Sequence, residues 1–385
     1  MPKQIKIEIE PDILKFARFC SGYDLDTAAK KTKIKKEIII AIESVKQPIS
    51  LAQVKRIAGV YKMPIAYFLL EEAPKDIVIP KDFRIVYDSE EDKFSPDTML
   101  AIRRARYLQS VANDLIGNFN YDFKKVSIDD DAERVAGYLR SKIGISMQDQ
   151  KKWQDSNAAL NNWKAAIESM GIFIMQNSLP DADISAFSLV DQKPYVITLN
   201  SAEHVNRRIF SLFHEVGHIL LHSSGICNVD NFSRNSYQYI KIEQFCNQFA
   251  ASFLIPSSDF VDNDLVKGLE KVSFDSWDFN KVKTIARCYK VSQEVIYRRF
   301  VQVGILRNDQ YEKKRKDLME SFEEYKKINK KKVIIPQFRK IISKNGKAFT
   351  SLVLNSFYEN RITLVDVADF LGTTSRHIAD VEANL

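Results

Sequence analysis

The sequence predicts an α+β, predominantly helical protein, and three observations carry that prediction. Apolar residues recur at helical spacing through most of the chain, three short β-rich runs are confined to 172–199, and helical periodicity resumes beyond 274. The expected order is a helix-turn-helix domain at 1–80, a linker and helix at 81–129, a third domain holding the β-runs at 130–265, and a helical C-terminal region at 266–385. At 385 residues and 45% hydrophobic, the chain is long and apolar enough for two or three cores, which excludes a disordered or disulfide-stapled protein.

In the first region, Ile13, Phe16 and Ala17, then Ala28 and Ala29, Ile38, Ile39 and Ile42, Val54, Ile57, Ala58 and Tyr61, and finally Phe68 and Leu69 mark short helices. Turn chemistry such as Ser21-Gly22 and Gln47-Pro48 separates them. Residues 73–92, with Pro74, Pro80 and many charges, read as a linker. Helices are expected at 97–115, 130–142 and 158–170, and β-strands at 172–176, 184–190 and 195–199, forming a small antiparallel or mixed sheet. Two further helices, at about 202–222 and 239–255, carry the most informative residues. The first is expected to start near Asn200 and Glu203 and to end at Ser223-Ser224-Gly225.

The chain has 57 Lys and Arg against 50 Asp and Glu, a net charge of +7 that does not by itself identify a nucleic-acid binder. The charge is uneven: residues 1–75 hold 14 basic and 9 acidic side chains, and residues 307–347 hold 14 and 6. The basic run Lys313 to Lys316 with Lys330 to Lys332 reads as a solvated helix face. Cys20, Cys227, Cys246 and Cys288 contain no CxxC pair, so a disulfide framework and a thiolate zinc site are not indicated. With no window of about 18 apolar residues and no leader-like start, the expectation is a cytoplasmic protein without a membrane partner.

The run Phe213-His214-Glu215-Val216-Gly217-His218 contains HExxH. On a helix, His214 and His218 lie on one face about 6 Å apart along the axis, a spacing at which two imidazoles grip one metal ion. Glu215 between them is the candidate catalytic residue: the metal lowers the pKa of a water toward about 7, and the carboxylate serves as general base. A catalytic Zn2+ needs a third protein ligand and an open position. Glu243 is the leading candidate, because Glu243, Cys246, Asn247 and Ala250 form one polar-to-small stripe and Phe245, Phe249 and Phe253 another. Small residues let this helix approach the first, and Asn247 lies one turn beyond Glu243. Cys246 and His222 remain alternative ligands, whereas His204 lies more than two turns before His214. Tyr237, Tyr239 and His204 are candidates for stabilising a tetrahedral intermediate, with none preferred.

The HExxH run within 208–222, followed by Glu243, Asn247, Phe249-Ala250-Ala251 and Pro256, resembles the ImmA/IrrE family of bacterial and phage metallo-endopeptidases. That resemblance implies a zincin-like peptidase domain at 130–265, zinc on His214, His218 and Glu243, Glu215 as the catalytic residue, and a role for Asn247 in orienting a ligand. It also implies a protein substrate, an Xre-type repressor cleaved in stress or mobile-element control. Cys246 departs from the family's usual small Ala.

Glu43, Pro48 and the Leu51, Val54, Ile57, Ala58 pattern are similar to the Xre (Cro/repressor-like) helix-turn-helix domain. Residues 64–70 and Asp82-Phe83-Arg84 extend the likeness. Residues 25–34 would be the second helix and turn, 35–44 the recognition position and 50–61 the supporting helix. Lys31, Lys33, Lys35 and Lys36 are candidate DNA-phosphate contacts, whereas Ile38 and Ile40 cannot read base edges by hydrogen bonding. Val45 stands where the family often has Gly. The domain therefore either binds DNA with little sequence preference or docks a protein. The rival class for the whole chain is a helix-turn-helix transcription regulator or antitoxin-like binding protein with a structural or sensory metal site. Glu215 discriminates, because a structural site needs no free base. The oligomeric state is left open.

Overall fold

A computed structural model describes residues 5–73, 94–119, 121, 126–181, 184–221, 237–328 and 335–385. The chain divides into two compact units, Met1–Tyr107 with Ser178–Asp183, and Leu108–Asn177 with Ile184–Leu385.

The first unit contains β1 (Lys6–Glu8), α1 (Pro11–Phe19), α2 (Leu25–Thr32), α3 (Lys36–Ser44), β2 (Pro48–Ser50), α4 (Leu51–Tyr61), a 3-10 turn at Ile65–Leu69 and the beginning of α5 (Pro96–Ile116). Helix α2 starts where the Asp24 carboxylate accepts the Thr27 N–H, and it stops at Lys33, whose φ of 56° breaks the helix. The chain then re-enters a helix at Lys36. Helix α4 opens with a capping box between Ser50 and Gln53. Ile13, Ala17, Ala28, Ile39, Ile42, Val54, Ile57 and Phe68 close the apolar core. Val45 lies in extended backbone at φ −138°, so the turn after Glu43 imposes no need for glycine and a β-branched residue fits. Strands β1 and β2 pair antiparallel, Ile7 opposite Ile49, and were not expected because three residues are too few for alternation to register. The expected linker at 73–92 lies almost wholly outside the described residues.

The second unit begins with the remainder of α5 and continues through α6 (Ala132–Ile143), α7 (Met147–Lys152) and α8 (Ser156–Glu168). Three strands follow: β3 (Phe173–Asn177), β4 (Ala186–Leu189) and β5 (Val196–Asn200). Their order is β3-β5-β4, with β3 parallel and β4 antiparallel to the central β5, so the sheet is mixed. Next come α9 (Val205–Leu220), α10 (Tyr237–Leu254), α11 (Ser257–Asp262), α12 (Asp264–Glu270), α13 (Phe279–Tyr289), α14 (Gln293–Gln302) and α15 (Asn308–Ile328). The last helices are α16 (Gln337–Asn345), α17 (Lys347–Tyr358), α18 (Leu364–Phe370) and α19 (Ile378–Glu382).

Every residue of the three strands is buried. Ile174, Ala186, Ile197 and Leu199 join Trp163, Ile167, Ile209, Leu212 and Phe213 in one core, which seats α8 and α9 against the sheet. That core continues past 265 as far as Tyr311 and so includes α13 and α14. Helices α16 and α17 also pack against β3. Gly346, at φ 82°, permits that approach, since a Cβ there would lie 2.3 Å from the Ile174 carbonyl oxygen. Helix α9 starts later than the sequence suggests. Asn200 is spent on β5, opposite Asn177, and its side chain accepts the Ala202 N–H, so the helix begins only after His204. Its expected end at 223–225 lies outside the described residues.

Candidate metal centre

Helices α9 and α10 approach closely because small residues meet between them. A Cβ on Gly217 would stand 3.2 Å from both the Cα and the Sγ of Cys246, tighter than ordinary van der Waals contact. On the other stripe of α10, Phe253 stacks on Phe213 with ring centroids 4.1 Å apart. The phenylalanine stripe thus anchors α10 in the core, and the small-residue stripe lets Glu243 reach the histidines of α9.

His214, His218 and Glu243 form the one cluster of potential metal-ligating side chains found among the described residues, with one ligand atom from each all within 4.8 Å of one another. The two Nε2 atoms are 3.1 Å apart. Glu243 places Oε2 3.4 Å from His214 Nε2 and Oε1 3.3 Å from His218 Nε2. Tetrahedral zinc with bonds of about 2.0–2.1 Å separates its ligand atoms by about 3.3–3.4 Å, so these spacings fit a single Zn2+. The donor chemistry fits as well: two imidazoles and a carboxylate leave a fourth position open.

The electrostatics follow from the same geometry. Burial pushes the Glu243 carboxyl upward, but hydrogen bonds from His214 and His218 and their charge pull it well below the usual carboxylate range. Burial disfavours charge on His214, yet Glu243 outweighs it and raises the pKa, whereas at fully buried His218 burial prevails and lowers it. Glu215, 3% exposed, is pushed up by burial to about 7, against the opposing effects of His214 and a hydrogen bond from Ser188. Ser188, on β4, donates from Oγ to Glu215 Oε2 at 2.9 Å. This serine lies inside an apolar strand, where no motif singles it out. The available signal was its strand parity, since Ser188 shares a face with Ala186.

The remaining site candidates take other places. His204 caps α9, its Nδ1 accepting the Asn206 N–H, and lies about 15 Å along the axis from His214. Cys246 is fully buried against Gly217 and stands outside the cluster; burial raises its pKa well above the usual value, which keeps it a thiol. Asn247 is half-buried one turn after Glu243. Tyr237 is exposed and Tyr239 half-buried in the first turn of α10. His222 lies outside the described residues. In the first unit Lys31, Lys33 and Lys35 are exposed, while Lys36 is paired with Asp26 at 2.8 Å. Ile38 and Ile40 are partly exposed on α3.

No helix among the described residues is long and apolar enough to cross a membrane. Comparison with curated proteins and with solved structures returned no match. Residues 167–301, about a third of the chain, match the model of the Peptidase_M78 family, described as the IrrE N-terminal-like domain. The matched segment runs from the end of α8 through the sheet and both helices of the His214, His218 and Glu243 cluster to α14, and it supports a metallopeptidase of the ImmA/IrrE type.

Proposed function

We propose that this chain is a zinc-dependent regulatory endopeptidase that cleaves a repressor-type DNA-binding protein. The convergence of His214, His218 and Glu243 at tetrahedral spacing, beside a buried carboxylate that belongs to no ligand pair, carries the reading. Zinc, when bound, supplies Lewis acidity to the scissile carbonyl and to a water. The imidazoles of His214 and His218 and the carboxylate of Glu243 hold the ion. Glu215 takes the proton of the attacking water and delivers it to the leaving amine. A purely structural site would gain nothing from a buried acid next to its ligands, which favours catalysis over a sensory role.

In this reading residues 1–80 act as an Xre-like domain. The chain re-entry from α2 into α3 is of helix-turn-helix type, with Lys31, Lys33 and Lys35 available to phosphates. The same shape would suit docking against a repressor of related fold. The decisive experiment incubates zinc-loaded protein with Xre-type repressors encoded near it and detects cleavage by mass spectrometry, alongside Glu215→Gln. The variant should retain zinc and lose about 10² to 10⁴ in rate. Cleavage by the variant at the wild-type rate would refute the mechanism.

A further inference from the structure

Beyond the ligand set and the general base, the structure contains a device for aiming that base. We propose that Ser188 is a positioning residue for the peptidase reaction, holding the Glu215 carboxylate by one oxygen so that the other stays directed at the reacting water. The inference rests on the peptidase reading above.

The argument starts from what a helix alone can fix. Helix α9 sets the Cα and the first side-chain torsions of Glu215, but the terminal torsion of a glutamate is broad and its two oxygens are interchangeable. A carboxylate that must take and return a proton at about 2.6–3.2 Å requires that last torsion to be fixed as well. Strand β4 supplies the constraint from a separate element. Ser188 is opposite Ile197 on β5, and Ile197 belongs to the core shared with α9, so strand alternation turns Ser188 toward the helix. Ser188 is 1% exposed in a wholly buried strand, which leaves its hydroxyl no aqueous partner and commits it to Glu215. It donates to Oε2 at 2.9 Å. One oxygen is therefore anchored to the sheet, which fixes the direction of the other.

Ser188→Ala, tested in the zinc-loaded full-length chain, separates this role from mere satisfaction of a buried acid. On a repressor cleaved by the wild type, kcat should fall between about 10- and 100-fold, the usual consequence of misaligning a reacting group, with KM and zinc content unchanged. A second readout needs no turnover. Acetohydroxamate binds zinc and donates a hydrogen bond to a correctly aimed neighbouring base, so its affinity, measured by calorimetry, should weaken roughly tenfold in the variant. Unchanged kcat and unchanged hydroxamate affinity would overturn the proposal. So would loss of zinc, or a defect confined to KM, because either assigns Ser188 to structure or substrate binding. Wild-type activity in Glu215→Gln would overturn the reading of Glu215 as base, while the hydroxamate measurement would still report whether Ser188 aims its carboxylate. A chain that binds no zinc overturns both.

Discussion

Two partly buried polar clusters, one in each unit, differ in a way that separates holding a fold from a geometry that can hold a ligand. In the first unit Arg18 on α1 meets Glu43 on α3 in a bidentate pair: Nε donates at 2.8 Å to one oxygen, and the terminal nitrogen Nη2 donates at 2.8 Å to the other. A third bond from Arg18, to the Tyr23 carbonyl, satisfies the remaining side of the guanidinium. The opposite charges meet in bidentate geometry, so the pair needs no added ion. In the second unit, two imidazole nitrogens face each other at 3.1 Å with one carboxylate across from both. Those ligand atoms lie at the mutual spacing a single cation requires. An ion pair that closes on itself holds a fold, whereas a convergent donor set can hold an ion.

Removing a carboxylate from each cluster sharpens that contrast. Glu243→Ala should lower zinc affinity by more than about 100-fold, beyond the 10- to 100-fold typical of losing an outer partner of a metal ligand. Metal analysis after dialysis against a competing chelator reads this, and full retention of zinc would show that another residue completes the site. Glu43→Ala should leave zinc untouched and weaken the first unit by about 2 kcal/mol, because it strands the half-buried Arg18 guanidinium. Hydrogen exchange at the amides of α1 and α3 should then quicken about 30-fold, and unchanged protection would mean that the pair contributes little.

The smallest expected effect concerns the exposed lysines, where the first unit would meet a partner outside itself. If the proposed DNA reading holds, Lys31→Ala with Lys35→Ala should lower the slope of log K against log salt by about 2. Lys36→Ala should lower it less, because that ammonium is already paired with Asp26. Titrations of the full-length chain on random duplex at several salt concentrations measure both. Equal effects of Lys36 and Lys35 would show that the Asp26 pair opens on binding, and no binding at low salt would favour protein docking.

Much of the site was legible from local spacing. His214 and His218 sit four apart on a helix, so any sequence that forms α9 brings them to one face, and Glu215 must accompany them. The two stripes of α10 were equally local, since residues three and four apart share a helical face. Helix existence was local too, while boundaries such as the start of α9 depended on Asn200 being held by β5. The third corner of the metal centre was decided in three dimensions. Glu243 and Cys246 lie on one stripe of α10, and the sequence allowed either. The contact of Gly217 with Cys246 sets how near α10 lies and turns the thiol into packing while Glu243 reaches the imidazoles. Ser188 and Glu215 are likewise joined only by the placing of β4 beside β5. Periodicity records which face a residue occupies along its own element. Which faces meet depends on close packing between elements distant in the chain, where one methyl group decides the approach.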